Sequence, residues 1–510
     1  FNWYLFKCTG SIYEYDRVLF EIKKRSDWMI KNIEFKNFRN INGKYIFNNS
    51  LNVIVGKNNS GKTNVLEGIK LAFSCITNDY YKISVSDFFN SDDSKSIEIS
   101  VELEEDSIPS LNFVNENGKI ECGFKVIIRK SQRGRYVKEI YLLNGSNIDY
   151  DILREDEKIP NLYLIPLIRI EDIYTSGLTT GISKFINSEE KYKELIKDSK
   201  NAIEQELKYK KEKFQDLCKK FNENLDIELT DPKFSNEKVY IVDGKNEHNF
   251  NIGSGYKSIA NIMLNTLDEN FNIILIDEIE NHLHPALIRT LIRELRNVKN
   301  TIIITTTHSS VVINEFKIEE IIDISTKNIK LINDINIINK LNLFMHPGRN
   351  ELILADNVIL VEGYTEEFLL RNYLNKYNYN WSIINVAGVM FEPYIKLAKF
   401  LNKKIIVISD TDIVLSPIKE PSSRFKNLKK LCKEEKVKLI EMYNTLETDL
   451  YNNGFLNKYT NLLKNHKIHS EIYVAKEKKK TEIAEKIIED NMDLEDWHVI
   501  KEIKNELKSN

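Results

Sequence analysis

The chain has 510 residues, more than one hydrophobic core usually organises, so its length predicts two or three domains. Hydrophobic residues make up 42% and charged residues 29%, a balance typical of a globular protein. The formal net charge of −3 excludes binding to nucleic acid through an overall positive field. Any contact with DNA must therefore come from local basic patches or metal ions.

Cysteine usage and hydropathy narrow the possible class of protein further. The five cysteines form no Cys-x-x-Cys pair, which argues against structural zinc and fits a reducing cytosol. No apolar run reaches the roughly 18–20 residues that a membrane span needs, so we expect a cytoplasmic chain without membrane contact. Residues 1–28 lack the order of a signal peptide, and Met29 opens an alternating strand pattern. We expect residues 1–28 to be an upstream extension and Met29 the natural start.

The first predicted elements surround a glycine-containing loop. Residues 30–56 predict two strands, the second ending in Leu51–Val55, and a helix should follow from about Thr63 to Phe73. Residues 97–105 and 120–145 alternate as antiparallel strands do.

A charged segment follows, in which Lys, Glu and Leu recur with helical spacing from about residue 185 to 225. We interpret residues 171–230 as a helical insertion. A solvated arm is the simplest reading, a dimerisation element is a second, and a DNA-binding surface is a third.

Four buried-type strands complete the pattern. They are continuous and β-branched, as central parallel strands are, and they lie at Ile273–Ile276, Thr301–Thr307, Val358–Val361 and Ile405–Ser409. Strands and helices alternate on both sides of residue 350, which predicts two α/β units in tandem.

The segment from Gly56 to Thr63 matches the phosphate-loop pattern Gly-x4-Gly-Lys-[Ser/Thr] between a strand and a helix. Its backbone N–H groups and the helix N-terminus favour phosphate oxygens. We expect Lys62 to reach the β- and γ-phosphates of ATP and Thr63 to ligate Mg²⁺. The residues expected to bind the nucleotide are Gly56, Asn58, Asn59, Ser60, Gly61, Lys62, Thr63 and Asn64.

Two carboxylates end the strand Ile273–Ile276. Asp277 can hold the Mg²⁺ of ATP through water, and Glu278 can act as general base toward the attacking water. A strand that merely ends in acidic residues is the alternative, and the phosphate loop argues against it.

Two further features resemble ABC-type ATPases. Residues 252–257, with Ser254 and Gly255, stand about twenty residues before Asp277, where that class has its signature loop, and His308 stands where its switch histidine contacts the γ-phosphate. In that class the signature loop of one protomer completes the ATP site of another, which implies a homodimer or larger assembly.

No glutamine lies at a Q-loop position, and Lys257 stands where the signature often has Gln, so ATP can be a regulatory ligand rather than fuel.

His282 and His284 lie two residues apart with no cysteine nearby, so we interpret them as loop structure at a dimer interface rather than as zinc ligands.

The C-terminal third carries paired acidic motifs. Glu362 ends one buried strand and Glu366 follows four residues later, while Asp410 and Asp412 end another strand. Converging carboxylates repel each other unless a cation neutralises them, and hard oxygen ligands select Mg²⁺ or Mn²⁺. Two such ions can activate water at a phosphodiester. Acidic surface turns are the alternative reading. The paired motifs resemble the Toprim pattern of topoisomerases, primases and certain nucleases.

An ABC-type head with a helical insertion that runs into Toprim resembles the OLD (overcoming lysogenisation defect) family of nucleases, which includes the Gabija anti-phage nucleases. By this resemblance, Glu447 or Asp449 completes the metal ligands, and Lys480 stabilises charge on the scissile phosphate. The fold class is therefore α/β, an ABC-type P-loop ATPase followed by a Rossmann-like Toprim domain. The expected domains are 29–170 and 231–345 for the ATPase, 171–230 for the insertion and 346–510 for Toprim.

The resemblance implies an ATP-regulated endonuclease that nicks or cleaves double-stranded DNA in anti-phage defence, as a homodimer or homotetramer with a UvrD-like helicase as partner. A RecF- or SMC-type ATPase that clamps DNA without cutting it is one alternative, and a nucleotide-sensing scaffold is another. A clamp needs none of the acidic motifs or Lys480, so these residues discriminate. The basic stretches Lys403–Lys404 and 426–433 are candidate DNA contacts, or an exposed amphipathic helix.

Overall fold

The computed structural model divides the chain into two compact units, Phe1–Glu315 and Phe316–Asn510. From sequence we place the boundary thirty residues later, at 345/346; the structure instead includes Ile335–Phe344 in the second unit, where the carbonyl of Phe344 accepts a hydrogen bond from Tyr394. The residues that the structure describes are 30–47, 49–77, 81–105, 107–148, 153, 156, 159–165, 208, 212–220, 225–229, 239–243, 255, 258–259, 262–263, 266, 271–326, 334–376, 381–388, 390–413, 420–468, 471–475 and 480–508. The expected extension, 1–28, lies outside them.

The first unit contains two larger sheets. Its strands are β1 (Ile30–Phe38), β2 (Ile41–Ile46), β3 (Leu51–Val55), β4 (Ile97–Leu103), β5 (Asn112–Val114), β6 (Ile120–Lys130), β7 (Tyr136–Leu142), β8 (Asn161–Ile165), β9 (Leu225–Leu229), β10 (Val239–Asp243), β11 (Phe271–Ile276) and β12 (Ile302–Thr307). Its helices are α1 (Lys62–Thr77), α2 (Pro285–Arg296) and α3 (Ser310–Ile313).

One sheet is antiparallel, in the order β2-β1-β4-β6-β5 with β7 beside β6. Strand β4 alternates buried and half-buried residues, as expected of a sheet with one covered face. The sequence pattern is wrong in one respect, because residues 30–56 form three strands rather than two. The chain reverses after Phe38, where Arg39 has a φ of 45°.

The other sheet places β3, β12, β11 and β8 side by side in parallel. Strands β3 and β12 are buried along their whole length, which explains their continuous apolar or β-branched composition. The phosphate loop, the Asp277 end of β11 and the His308 end of β12 therefore share one edge of this sheet.

The expected insertion is described only in part. Residues 212–220 are helical, as the pattern predicts, but Leu225–Leu229 is a strand that pairs antiparallel with Val239–Asp243. This end of the segment 171–230 alternates as Leu-Asp-Ile-Glu-Leu, a period of two that favours a strand over a helix. Residues 171–207 lie outside the described ranges.

The second unit is built on a parallel sheet in the order β15-β14-β16-β17, with β14 and β16 at its centre. Its strands are β13 (Ile321–Asp323), β14 (Asn357–Val361), β15 (Ser382–Asn385), β16 (Lys404–Asp410), β17 (Lys438–Met442), β18 (Lys464–Ile468) and β19 (Glu471–Ala475). Its helices are α4 (Ile335–Phe344), α5 (Pro347–Leu354), α6 (Tyr364–Lys376), α7 (Phe391–Phe400), α8 (Ser423–Glu434), α9 (Leu446–Asn452), α10 (Lys480–Glu489) and α11 (His498–Lys508).

Candidate nucleotide and metal sites

The phosphate loop of the first unit has the backbone that its sequence requires. Gly61 has a φ of +103°, which strains any side-chain-bearing residue, and a Cβ at this position would also displace the side chain of Asn40, whose Oδ1 would lie 2.7 Å away. Asn59 also has a positive φ, of 62°. The loop surrounds a cavity of about 160 Å³ lined by Asn58, Asn59, Gly61, Lys62, Thr63, Asn64 and Glu278.

Lys62 folds back onto this loop. Its ammonium donates hydrogen bonds to the carbonyl oxygens of Gly56 at 2.9 Å and Lys57 at 2.7 Å. Burial lowers the pKa of Lys62, and the carboxylates of Glu278 and Glu280 oppose that shift. The loop therefore holds a lysine that is bound to neutral acceptors and close to the space where phosphates are expected.

The two expected ligands of the ATP-bound Mg²⁺ lie next to each other. Oγ1 of Thr63 donates to Oδ2 of Asp277 at 2.9 Å, although 214 residues separate them in the chain. Oδ1 of Asp277 accepts a second hydrogen bond, of 2.6 Å, from Thr306. The geometry brings Thr63 and Asp277 together as the sequence predicts.

Glu278 lines the cavity, in the position that the sequence gives to a general base. Its N–H donates to Oγ1 of Thr306 at 2.8 Å, and its Oε2 accepts from Asn281 at 3.1 Å. Its φ of 47° is a left-handed conformation that side chains rarely adopt. Strain of this kind is common where a backbone must aim one side chain at a ligand.

Glu280 is the residue that sequence reasoning missed. Its Oε1 accepts hydrogen bonds from the hydroxyl of Thr307 at 2.8 Å and from the backbone N–H of His308 at 3.0 Å, and Nδ1 of His308 lies 3.2 Å away. Glu280 therefore fixes the expected switch histidine. The sequence signal for it is the acidic spacing Asp277-Glu278-x-Glu280.

The expected signature loop is described at one residue, Gly255; Ser254 and Lys257 lie outside the described ranges. A Cβ on Gly255 would lie 2.5 Å from the carbonyl oxygen of His282, so the glycine permits close packing on this loop. His284 caps α2 by accepting a hydrogen bond from the N–H of Ala286 at 3.3 Å. This local structural role agrees with the loop interpretation of His284, and the dimer-interface position of the two histidines stays a prediction.

In the second unit, acidic residues meet where two neighbouring parallel strands end. Glu362 follows β14, and Asp410 ends β16, so both lie at the carboxyl edge where open α/β sheets place their sites. They line one cavity of about 400 Å³, whose wall consists of Arg349, Glu362, Gly363, Tyr364, Thr365, Glu366, Asn385, Ala387, Gly388, Asp410 and Glu447.

Asp410 is buried in this group, together with Glu366 and Glu447. Its Oδ1 is buried and accepts no hydrogen bond. Burial raises its pKa well above the ordinary value, and the neighbouring carboxylates of Glu366, Glu362 and Glu447 raise it further. A buried acceptor without a donor is costly, and a cation is one partner that could satisfy it.

Gly363 allows Glu366 to approach the strand end. A Cβ on Gly363 would lie 2.9 Å from Oε2 of Glu366, so any larger residue would displace this carboxylate. Glu366 itself is only 8% exposed. The spacing Glu-Gly-x-x-Glu thus packs its second carboxylate against the turn that the glycine makes.

The structure separates the two acidic residues of α9. Glu447 lines the cavity, whereas Asp449 does not. Oδ1 of Asp449 accepts from the N–H of Tyr443 at 2.8 Å, and its Oδ2 accepts from Nε1 of Trp497 at 2.6 Å. Asp449 is therefore occupied in holding α9 and α11 together, which leaves Glu447 as the better candidate ligand.

Arg424, in the first turn of α8, is the second residue that sequence reasoning missed. It forms a two-point ion pair with Glu362, in which Nη2 lies 3.0 Å from Oε2, and the same nitrogen lies 3.0 Å from Oδ2 of Asp412. Its Nη1 donates to the carbonyl of Gly388 at 2.8 Å. Asp412 joins the site through this arginine and is not part of the cavity wall.

Within the described residues, no three or more His, Cys, Asp or Glu side chains stand close enough together to hold a metal ion as they are placed. The carboxylates are gathered in one cavity, but an arginine takes up both oxygens of Glu362.

Lys480 and the two basic stretches are the remaining predicted site residues. Lys480 begins α10, but its side chain lies outside the described residues. Nζ of Lys404 donates to the carbonyl of Glu506 and lies 5.9 Å from the ring centre of Trp381. On α8 the lysines pair with acidic residues, as Lys426–Glu420, Lys429–Glu441 and Lys430–Glu434. These contacts favour the reading of this stretch as an exposed amphipathic helix.

Residues 51–314 match the family model described as "AAA domain, putative AbiEii toxin, Type IV TA system", which covers just over half of the chain. The chain belongs to this family. Residues 353–412 match the model described as "Overcoming lysogenization defect protein-like, TOPRIM domain". These two matches confirm the expected order of a P-loop ATPase followed by Toprim, and with it the resemblance to the OLD family.

Individual relatives match different shares of the chain. Endonuclease GajA from Bacillus cereus (strain HuB5-5) is 27% identical over 420 residues, which cover 66% of this chain and 59% of GajA. The DNA replication and repair protein RecF of Francisella tularensis subsp. mediasiatica is 58% identical over 41 residues, 8% of this chain and 12% of RecF. The Smc head domain from Pyrococcus furiosus aligns with a TM-score of 0.41 and 16% identity, over 58% of this chain and 93% of that chain.

No helix among the described residues is both long enough and apolar enough to cross a membrane.

The raised pKa of Asp410 predicts a stability that falls as pH rises. A carboxyl group whose pKa is raised by folding stabilises the folded state fully below its ordinary pKa of 3.8, and this contribution is lost as pH rises through the higher folded-state pKa. Asp410→Asn removes the ionisation, so in chelator at neutral pH it should melt about 2–4 °C higher than the parent chain. Thermal melts between pH 5 and 8 measure this, with exposed Glu434→Gln as control. An equal or lower melting temperature for Asp410→Asn at neutral pH would contradict the electrostatic argument.

The different surroundings of Glu447 and Asp449 predict that substitutions at the two positions impair different properties, metal binding at Glu447 and stability at Asp449. Asp449→Asn replaces one of two acceptor oxygens with an NH₂ donor that faces a buried N–H donor, which should cost about 1–3 kcal/mol of stability while leaving Mn²⁺ binding unchanged. Glu447→Gln should weaken Mn²⁺ binding and leave the melting temperature near that of the parent chain. Calorimetric Mn²⁺ titration and thermal melts on both variants test this, and equal loss of Mn²⁺ affinity in both would show that Asp449 is also a ligand.

Proposed function

We propose that this chain is a divalent-metal-dependent DNA endonuclease whose Toprim site works under the control of ATP bound at the P-loop unit. One observation carries the proposal: four carboxylates, of Glu362, Glu366, Asp410 and Glu447, line one cavity at the carboxyl edge of a parallel sheet. A structural role alone does not explain why these side chains converge, because their mutual repulsion opposes folding.

The donor chemistry of this cavity, though not the present spacing of its carboxylates, suits a hard divalent cation. All candidate donors are carboxylate oxygens, which Mg²⁺ and Mn²⁺ prefer, and the buried Oδ1 of Asp410 lacks any other partner. Glu362, Glu366, Asp410 and Glu447 would hold the metal, with Asp412 at the edge. Bound there, the metal would supply a water nucleophile at neutral pH and stabilise charge on the leaving oxygen.

The chain's own groups have separate tasks in this proposal. The carboxylates orient the cation and therefore the phosphodiester, and Lys480 at the start of α10 stabilises charge that develops on the scissile phosphate. In the first unit, Thr63 and Asp277 hold the Mg²⁺ of ATP, Lys62 binds the β- and γ-phosphates, and Glu278 positions water.

Substrate, assembly and partner belong to the same proposal. The GajA relative is named an endonuclease, and we infer double-stranded DNA as substrate and anti-phage defence as the setting of this chain. A homodimer or homotetramer follows from the expected sharing of ATP sites between protomers, and a UvrD-like helicase is the inferred partner. The RecF match spans only 41 residues, and a clamp of that type has no use for a buried acidic cavity.

Plasmid cleavage tests the proposal directly. With Mg²⁺ or Mn²⁺, the parent chain should convert supercoiled DNA to nicked or linear forms, and Glu362→Ala should lower the rate by about 100-fold or more because a charge-bearing group of the site is lost. Lys62→Ala should retain cleavage but change its response to ATP. Glu434→Ala, which removes an exposed carboxylate outside the cavity, is the matched control.

A parent chain that leaves the plasmid supercoiled with both metals, across a range of ATP concentrations and with a UvrD-like helicase present, would overturn the proposal.

A further inference from the structure

Arg424 joins three separate segments of the second unit at the mouth of the acidic cavity. It contacts both oxygens of Glu362 after β14, the carbonyl of Gly388 after β15, and Asp412 after β16. Its side chain is 29% exposed, so solvent reaches it. Arg424 is therefore a positively charged side chain that pairs directly with carboxylates of the acidic site.

This ion pair and a bound metal ion compete for the same atoms. Both oxygens of Glu362 already accept from the guanidinium, and Oε2 also accepts from Ser409 at 3.2 Å. A divalent ion that used Glu362 as ligand would place a second positive charge beside Arg424. Repulsion between the two cations favours release of the arginine from the carboxylate.

A released guanidinium has one obvious partner near the site. Its planar array of donors matches two oxygens of a phosphate, which makes arginine the preferred side chain for two-point phosphate binding. Arg424 lies at the edge of the cavity whose carboxylates would face the scissile phosphate. If Arg424 moved from Glu362 to a phosphate of the DNA backbone, its guanidinium would keep a two-point ion pair, with the phosphate in place of the carboxylate.

Resting on the proposed function, we propose that Arg424 is a substrate-phosphate ligand, held on Glu362 and Asp412 until a divalent cation replaces it there. The same side chain then has two effects of opposite sign. It lowers the affinity of the site for the metal in the absence of DNA, and it raises the rate of cleavage once metal and DNA are both bound.

The experiment measures both effects on the full chain without nucleotide. Mn²⁺ binding is followed by calorimetry in the absence of DNA, and nicking of plasmid DNA is followed at saturating Mn²⁺. Arg424→Met should bind Mn²⁺ about tenfold more tightly, because a charged hydrogen-bonded competitor is lost. It should also cleave about 100-fold more slowly, because the phosphate loses its two-point partner.

Two further variants make the result specific. Arg371→Met removes an arginine that pairs with Glu367 on α6, outside the cavity wall, and should change neither measurement. Arg424→Lys keeps the charge but loses the two-point geometry, so it should bind Mn²⁺ more tightly than the parent chain and cleave more slowly. It provides the same test if Arg424→Met melts at a much lower temperature.

The outcomes separate the two proposals. Unchanged or weaker Mn²⁺ binding in a folded Arg424 variant, or unchanged cleavage at saturating Mn²⁺, overturns the role of Arg424 while the nuclease proposal stands. A parent chain whose Mn²⁺ binding is unaffected by Glu362→Ala, or which leaves the plasmid uncut with both metals, across a range of ATP concentrations and with a UvrD-like helicase present, overturns both.

Discussion

The second unit must accommodate the repulsion between carboxylates that are gathered in one cavity. Asp410 ends a central strand with one oxygen buried and unpaired; burial raises its pKa, and the acids around it raise it further. A fold selected only for stability would replace such a group with an apolar or amide side chain. The sheet retains Asp410, and two neighbouring residues reduce the cost of the clustered carboxylates. Gly363 gives Glu366 the space to pack against the turn, and Arg424 neutralises part of the charge at the cavity mouth.

Much of this arrangement could be predicted from sequence because short local sequence patterns determine it. An apolar β-branched run that ends in an acidic residue identifies both the strand and the edge at which its last side chain lies. Glu362 and Asp410 meet for that reason, although 48 residues separate them. In the first unit Asp277 follows β11 in the same way and meets Thr63, which lies in the first turn of α1. The fold class followed from the same strands, since alternating strands and helices permit few arrangements.

The residues that escaped prediction have partners set by tertiary structure. Arg424 is one of many basic residues in its neighbourhood, and only the orientation of α8 relative to β14 and β16 selects it over the lysines that follow. Glu447 and Asp449 lie two residues apart on one short helix, so a motif cannot tell which of them faces the cavity. The structure distinguishes them through Trp497, a partner 48 residues further along the chain.

A similar internal bond is present at each of the two sites. In the first unit the ammonium of Lys62 is bound to the carbonyls of Gly56 and Lys57, and in the second the guanidinium of Arg424 is bound to Glu362. In each case a positively charged group that is expected to meet phosphate already has an acceptor within the chain. A ligand gains only the difference between its own bonds and those it replaces, which lowers affinity but prevents a buried charge from standing unpaired. In the proposed function, ligand binding at either site would make a side chain exchange partners, and that exchange would be a physical step through which each site can be controlled.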